Sequence, residues 1–596
     1  MSVAIEKYKG GSFFLDYPDP QGVFTPEDFT DEHKMIAETA ADFVEKEVRP
    51  LAAAIEDHHF EHSVALMKKA GELGLLSSDI PVEYEGLGLD KVSTTLITEN
   101  IVKGGSWSLT HGAHTGIGTL PIVFFGTPEQ KKKYLPALGT GEKIAAYALT
   151  EPGSGSDALG AKTTAVLSAD GKHYVLNGTK QWITNSGFAD VFIVYAKVDG
   201  DDKKFTAFIV DRDSPGLSTG PEEKKMGIKG SSTRSVILED CQVPVENVLG
   251  EIGKGHVIAF NILNIGRWKL AAGCVGAAKE AIAISARYAK ERQQFGKPIA
   301  SFRLIQQKLA DMAIKTYALE STVYRTAGLL DAGLHDVDTT APDAGRQAAK
   351  AIEEYAIECS INKVFGSETL DFVADEGVQI HGGYGYMHEY EIEHIYRDSR
   401  INRIFEGTNE INRMLVPGTL VRRTMKGELP LMQAIMALQN ELMGMTLPEL
   451  DDAPLAQEKH LLAMAKKVFL MVAGLGVQKF QQALNDEQEL LSNMADIGIE
   501  IFAMESALVR AEKALAHSGH AAAQAKIDMA TAHVHDAFER IGVLARESLA
   551  ALEEGDTLRT NLSVLKKLLR VPNPVNVIGV KRAVAARVLE AEKFTA

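Results

Sequence analysis

The 596-residue sequence predicts an α+β protein, mostly α, with four successive parts. These are an N-terminal helical domain, a middle β-barrel or sandwich domain, a C-terminal four-helix bundle and an additional C-terminal helical domain. Two patterns carry this. Apolar residues recur at helical spacing through most of the chain, and β-branched runs separated by turn residues are confined to about residues 146–254. Length agrees, because a chain of this size exceeds one core and implies three or four domains.

Residues 1–29 form an N-terminal extension, and 30–145 read as helical. In TDEHKMIAETAADFVEKEV, Met35, Ile36, Ala40, Phe43 and Val44 fall at helical intervals, with Thr30 as N-cap. A glycine-rich stretch at 85–90 interrupts the pattern, and PEQKKKYLPAL (128–138) reads as a solvated basic stretch of helix. In the β region, VFIVYAKV, FTAFIV and SVILEDCQV are the strand candidates, with Asp170-Gly171 among the turn signals. Helical spacing returns over 255–427, broken by an acidic loop at 333–345. It continues through 428–596 in long amphipathic runs such as HLLAMAKKVFLMVAGLGVQKF, with no fixed-period repeat.

Hydrophobic content of 45% with 24% charged residues describes a globular protein, and a formal charge of −17 argues against nucleic acid as a partner. Three scattered cysteines, Cys241, Cys274 and Cys359, match no metal spacing and no disulfide framework, so no metal is expected. The N-terminal residues lack the features of a secretory signal or an Arg-rich transit peptide, which gives the expectation of a cytoplasmic, bacterial protein, with a mature organellar one as the alternative. The longest uncharged apolar run, Val468–Val477, is far short of the roughly 20 residues that span a bilayer.

Five segments carry candidate chemistry. In YALTEPGSGSD (147–157), Gly153 and Gly155 let backbone N–H groups approach an anion or a ring edge, and Thr150, Ser154 and Ser156 add hydroxyls; a plain polar loop is the alternative. In LNGTKQWITNSG (176–187), Asn177-Gly178 reads as a hairpin turn. Trp182 and Thr184 then share one strand face, either to flank a planar ring or, for Trp182, to fill the β core. In ERQQFGKPIASFRLIQQKLADM (291–312), Arg292 can contact a phosphate and Phe295 an aromatic ring, with Gly296 as a helix C-cap. In QIHGGYGYMHEYEIEHIYRD (379–398), Gly382, Gly383 and Gly385 permit close backbone approach, and no GxGxxG or Walker A pattern follows a strand. In INRIFEGTNEINR (401–413), Glu406 stands beside Ile404 and Phe405. Apolar neighbours raise a carboxyl pKa toward neutrality, which suits a base for a carbon-bound proton; an ordinary exposed Glu at a helix end is the alternative. Gly407 offers a ligand close backbone approach.

Together, and in this order over about residues 30–425, these segments resemble the acyl-CoA dehydrogenase family. RIFEGTNEI and the additional C-terminal domain are most similar to its very-long-chain subgroup and bacterial relatives. The resemblance implies FAD as cofactor. Tyr147, Leu149, Thr150, Gly155 and Ser156 would line the flavin pyrimidine edge, with Ser156 also near CoA. Trp182, Ile183 and Thr184 would lie behind the isoalloxazine. Arg292, Phe295, Gln379 and Gly383 would hold the pyrophosphate and adenosine of a neighbouring subunit's FAD, implying a homo-oligomer, and Thr408 and Glu410 would also contact FAD. Asn264 and Arg267 would hold CoA beside Gly407, and Glu406 matches the catalytic base. Some members place that base just before the arginine equivalent to Arg267, where this chain has Gly266.

The implied reaction is α,β-dehydrogenation of an acyl-CoA to the trans-2-enoyl-CoA in fatty-acid β-oxidation. Glu406 would take the α-proton as a β-hydride passes to flavin N5, and electrons would go to an electron-transferring flavoprotein. An acyl-CoA oxidase, or a member with an assembly or binding role, are the alternatives. Leu109, Gly112 and Ala113 match the floor of the acyl pocket. Their small size either leaves room for a long acyl chain or reflects close helix packing at Gly112 and Gly116. Residues 428–596 imply a dimer and peripheral membrane contact, by resemblance to the very-long-chain subgroup.

Overall fold

The computed structural model describes residues 6–341, 343–442, 450–451 and 453–596. Helix Asp31–Phe43 begins as the sequence predicts, with the Thr30 side chain accepting from His33 N. Helix Lys91–Ile101 is capped in the same way by Asp90 and buries nearly every residue. Pro128–Gly139 is helical but only partly solvated: Tyr134, Leu135 and Leu138 are fully buried and Lys131 is nearly so, which leaves Lys132 and Lys133 on the exposed face.

The middle region is one sheet. Its strands are β1 (Ala145–Ala148), β2 (Thr164–Leu167), β3 (His173–Thr184), β4 (Val191–Val198), β5 (Phe205–Asp211), β6 (Leu217–Thr219), β7 (Thr233–Pro244) and β8 (Val248–Leu249). They lie in the order β6-β7-β3-β2-β4-β5-β8, with β1 parallel to β4. Asp170-Gly171 makes the turn between β2 and β3, with Gly171 at φ 70°. Asn177-Gly178 does not turn the chain. It lies inside β3 at a register shift against β7, where a Cβ on Gly178 would strike Thr163. The dipeptide marks a bulge, the other use a strand makes of glycine.

Helices Gly255–Glu291, Arg303–Leu334, Ala356–His381 and Asn409–Met425 form the bundle, and the first and third have the most extensive mutual contact of any helix pair. Gly296 does not cap a helix. The helix ends at Glu291, and Phe295-Gly296 is the tip of a small hairpin pairing Gln293–Gln294 with Lys297–Pro298. Both tip residues have positive φ, the backbone of a tight two-residue hairpin turn.

The C-terminal region contains Leu431–Leu442, Ala456–Phe480, Gln488–Leu552, Gly555–Leu568 and Val577–Ala591. Gln488–Leu552 is broken at Gly519 (φ 76°, ψ 170°). Arg540 reaches back to Glu500 at 2.6 Å, so the two arms form a hairpin. This region has no separate core: its apolar faces join the bundle in one continuous cluster. Tyr317 donates to the Ala507 carbonyl at 3.2 Å, and Arg325 pairs with Glu505 at 2.8 Å. Ala456–Asp486 is apolar enough and long enough to span a membrane, yet 67% of its most apolar 18-residue stretch is buried inside the protein. Of the large apolar side chains exposed from the described part of 428–596, only Met432 and Met436 share a helix face, and Val543 and Ile578 stand on other helices. The expected membrane contact is therefore not supported.

The N-terminal segment is a strap across this junction. Phe14 stacks on Phe469 at 4.2 Å and Phe13 meets Phe502 at 4.8 Å. Lys513 bonds the Val23 carbonyl and Asp28, each at 2.6 Å.

Candidate active site

Glu406 follows the short 3-10 turn Arg400–Arg403 and precedes Thr408, the N-cap of Asn409–Met425, whose side chain accepts from Ile411 N at 3.2 Å. Glu406 and Gly407 both have left-handed backbone, φ 58° and 79°. For a non-glycine residue this is strain of about 1–3 kcal/mol, held in place by the surroundings. Arg267 Nε donates to the Glu406 carbonyl at 3.3 Å, and Asn412 Nδ2 reaches the Gly407 and Thr408 carbonyls at 2.9 and 3.0 Å. A Cβ on Gly407 would lie 3.2 Å from Asn412 Nδ2, so glycine serves this turn as well as any ligand approach.

The turn aims the carboxylate at Gly266. A Cβ there would lie 2.5 Å from Glu406 Oε2, so the missing side chain is the space the base occupies. That oxygen is buried and has no hydrogen-bond partner in the protein. Burial pushes the carboxyl up to about 7 against the opposing pull of Arg267 and Lys363. The enclosure comes from the helix bearing Gly266; Ile404, the neighbour in sequence, is half exposed.

Arg267 and Asn264 are nearly inaccessible, and Arg267 Nη1 bonds Asn264 Oδ1 at 2.8 Å. In this structure the pair braces the loop that carries Glu406. Lys363, Asn409 and Asn412 complete the support: Lys363 Nζ donates to Asn409 Oδ1 at 2.7 Å, fully enclosed. Burial holds Lys363 down at about 8. Sequence reasoning missed these three, and only the asparagines, flanking the EGT turn, carried any local signal.

Loop 147–157 and β3 are locked together. Gln181 N donates to the Thr150 carbonyl at 2.9 Å, while fully buried Lys180 reaches Glu151 at 2.7 Å and the Leu149 carbonyl at 3.3 Å. Trp182 lies on a bulge at φ 58° and is 59% exposed, so it is not a core residue. Ile183 turns inward to the sheet core, and Thr184 lines the main cavity. Tyr147 Oη is buried without a partner, and a Cβ on Gly153 or Gly155 would meet nothing within 4 Å. Ser156, next in the chain after Gly155, is exposed. An aromatic platform, open glycines and an orphaned hydroxyl fit a planar heterocycle with polar edges.

Glu406 and Thr184 line one cavity of about 530 Å³, together with Gly266, Leu109, Gly112 and Ala113. A Cβ on Gly112 or Gly116 would meet nothing within 4 Å, so these glycines leave space and do not mediate close packing. Arg292 and Gly383 line a second hollow of about 460 Å³ with Tyr384 and Met387, where Gly382 and Gly383 are open. Gln379 and Phe295 lie outside its wall, and Phe295 projects from its hairpin 91% exposed. Glu410 is exposed on the first turn after Thr408. One chain thus supplies two separate sets, one around Glu406 and one around Arg292.

A near-neutral carboxyl with a buried oxygen, opening on a largely apolar cavity beside a platform for a planar ring, is the arrangement of an oxidoreductase that works next to a redox heterocycle. The comparisons specify it. Acyl-CoA dehydrogenase family models match at 30–142 (N-terminal domain), 146–241 (middle domain), 253–420 and 464–567 (both C-terminal domains). The chain is 61% identical over 592 residues, 99% of each, to the "probable acyl-CoA dehydrogenase" of Bacillus subtilis (strain 168). It is 38% identical over 508 residues to the human mitochondrial very long-chain specific acyl-CoA dehydrogenase, covering 81% of this chain and 74% of that one. A crystal structure of an acyl-CoA dehydrogenase complexed with FAD from Bacillus anthracis superposes with TM-score 0.97 at 61% identity, covering 99% of this chain and 100% of that one. The chain belongs to the acyl-CoA dehydrogenase family and is an FAD-dependent acyl-CoA dehydrogenase.

Proposed function

We propose that this enzyme desaturates long-chain acyl-CoA thioesters between the α and β carbons, with Glu406 as base and an electron-transferring flavoprotein as acceptor. The observation that carries the reading is the enclosed Glu406 carboxyl, pushed up to about 7 at the wall of a 530 Å³ apolar cavity. A carboxylate of that basicity is matched to proton abstraction near neutral pH, and its bare Oε2 is free to accept the α-proton. FAD, when bound, supplies the hydride-accepting ring. Tyr147, Leu149, Thr150, Gly155, Ser156, Trp182 and Thr184 would hold its ring, Ile183 through backbone alone, with Thr408 and Glu410 at the base loop.

The chain's own work is placement. Arg267 and Asn412 fix the base loop through its carbonyls, and Gly266 keeps the carboxylate's path open. Apolar walls exclude water, which strengthens the base once a thioester is seated. Arg292, Phe295, Gln379 and Gly383 lie apart from this centre and would serve a partner subunit's FAD in a dimer. The exposed, strained Phe295 supports that reading, because an aromatic ring at a hairpin tip gains most when a neighbour covers it.

Anaerobic titration with palmitoyl-CoA tests the proposal. Flavin absorbance should bleach in the parent and persist in Glu406→Gln with flavin still bound. Bleaching of that variant at the parental rate would move the base elsewhere, and equal turnover of butyryl- and palmitoyl-CoA would remove the long-chain preference.

A further inference from the structure

One face of helix Gly255–Glu291 forms a straight wall of the cavity. Gly266, Leu270, Gly273, Ala277 and Glu280 all line it, spaced so that they fall within about 40° of one line along the helix. Three of the first four are Gly or Ala, and a Cβ on Gly273 would meet only Val102 Cγ2, at 3.7 Å. Across the cavity, Gly105 has positive φ and open space where a Cβ would be. The result is a narrow apolar trough starting beside the base. From Gly266 to Glu280 it runs about 21 Å, at about 1.5 Å of rise per residue.

The trough ends in charge. Glu280 Oε1 accepts from Arg49 Nη2 at 2.8 Å, and the other arm of the same guanidinium reaches Glu391 Oε1 at 3.0 Å. Arg49, Glu280 and Glu391 all line the cavity, with side chains 27%, 17% and 44% exposed, so the cluster stands between the apolar trough and solvent. No other role in the site described above uses it.

We propose that the Arg49–Glu280–Glu391 cluster is the end-stop of the acyl channel and sets the upper chain length. This rests on the reading that the acyl tail occupies this cavity. An extended hydrocarbon advances about 1.25 Å per carbon, from bonds of about 1.5 Å at near-tetrahedral angles. Gly273 then stands roughly 8 carbons from the base, Ala277 roughly 13 and Glu280 roughly 17. A stearoyl tail fills the trough. A longer tail must part a guanidinium held by Glu280, by Glu391 and, at 2.7 Å from its Nε, by Glu45, and desolvate it, which disfavours the complex steeply.

The test is a chain-length profile of kcat/KM in the flavin-loaded enzyme. Arg49→Ala should raise the docosanoyl-to-stearoyl ratio on the order of tenfold, the lower end of what one methylene is worth in an apolar pocket. Glu391→Gln, which keeps shape and removes one arm's charge, should move that ratio in the same direction and serves if Arg49→Ala does not fold. Ala277→Leu, which fills the trough about one turn before the end-stop, should lower the stearoyl-to-lauroyl ratio. An unmoved docosanoyl-to-stearoyl ratio in both cluster variants overturns the end-stop, even if Ala277→Leu shortens the preference. A parent enzyme that bleaches with no acyl-CoA of any length would instead remove the underlying functional reading.

Discussion

At the junction between the bundle and residues 428–596, Glu505 lies fully buried between Arg325, at 2.8 Å, and Lys466. Glu320 is as deeply placed, bonded to Lys279 and to Arg510, the latter at 2.6 Å. Burial pushes the Glu320 carboxyl up, but its two cations overcome this and hold it well below the usual carboxylate range. In the cleft, Glu406 is also enclosed, with Arg267 and Lys363 near enough to oppose its burial, yet Arg267 bonds its carbonyl and leaves Oε2 bare. The same ingredients give opposite results because of where the donors point. Donors on the carboxylate make a structural clamp, and donors on the backbone make a positioned base.

Removing a clamp should cost most. Glu505→Ala leaves Arg325 and Lys466 buried without their carboxylate, and urea unfolding should show a loss of about 3–5 kcal/mol. A loss below 1 kcal/mol would break the contrast. Next, Gly266→Ala places a methyl where the Glu406 carboxylate lies, and turnover should fall roughly a hundredfold, the scale of an ångström of misplacement. Alanine itself favours a helix by about 0.5–1 kcal/mol, so the variant should melt close to the parent. Unimpaired turnover would show that the carboxylate has room to shift.

Replacing the base should do the reverse of removing a clamp. The folded-state pKa of Glu406 lies above its unfolded value, so native protein holds the proton longer and stability falls as pH rises from about 4.5 to about 7. Glu406→Gln removes that loss. Relative to the parent, its stability should rise by on the order of 2 kcal/mol between about pH 5 and pH 8, at about 1.4 kcal/mol per pKa unit and less for partial solvation. Glu358, also pushed up to about 7 by burial, titrates in both proteins and cancels in the difference. The same group has a kinetic readout: kcat/KM should increase with pH and level off above an apparent pKa near 7, and a midpoint near 4.5 would mean a solvated carboxylate.

The sequence pattern made the architecture legible because periodicity reports which face is buried. Thr30 and Asp170-Gly171 also resolved as predicted, since caps and tight turns are local chemistry. Asn177-Gly178 misled for a local reason too: asparagine-glycine suits both a turn and a bulge, and the pairing partner β7, some 60 residues on, decides. Glu406 was readable as a candidate base, but the enclosure that raises its carboxyl was not. Ile404 is its neighbour in sequence, whereas Gly266 encloses it from 140 positions upstream. For the same reason Lys363, the trough and the end-stop were invisible: each is a meeting of distant segments.

The strap of residues 6–29 has a consequence for synthesis. Val23 docks on Lys513, 490 residues later in the chain. At about 5–20 residues per second, its site is made roughly 25–100 s after it emerges. During that interval Phe13 and Phe14 have only each other, since Phe469 and Phe502 belong to the same late region. The nascent protein therefore carries an adhesive apolar segment through most of its translation, and the bundle helices meet their last neighbours only near its end. Chaperone capture of ribosome-bound chains should be strongest in this window and weaken when Phe13 and Phe14 are both replaced by serine.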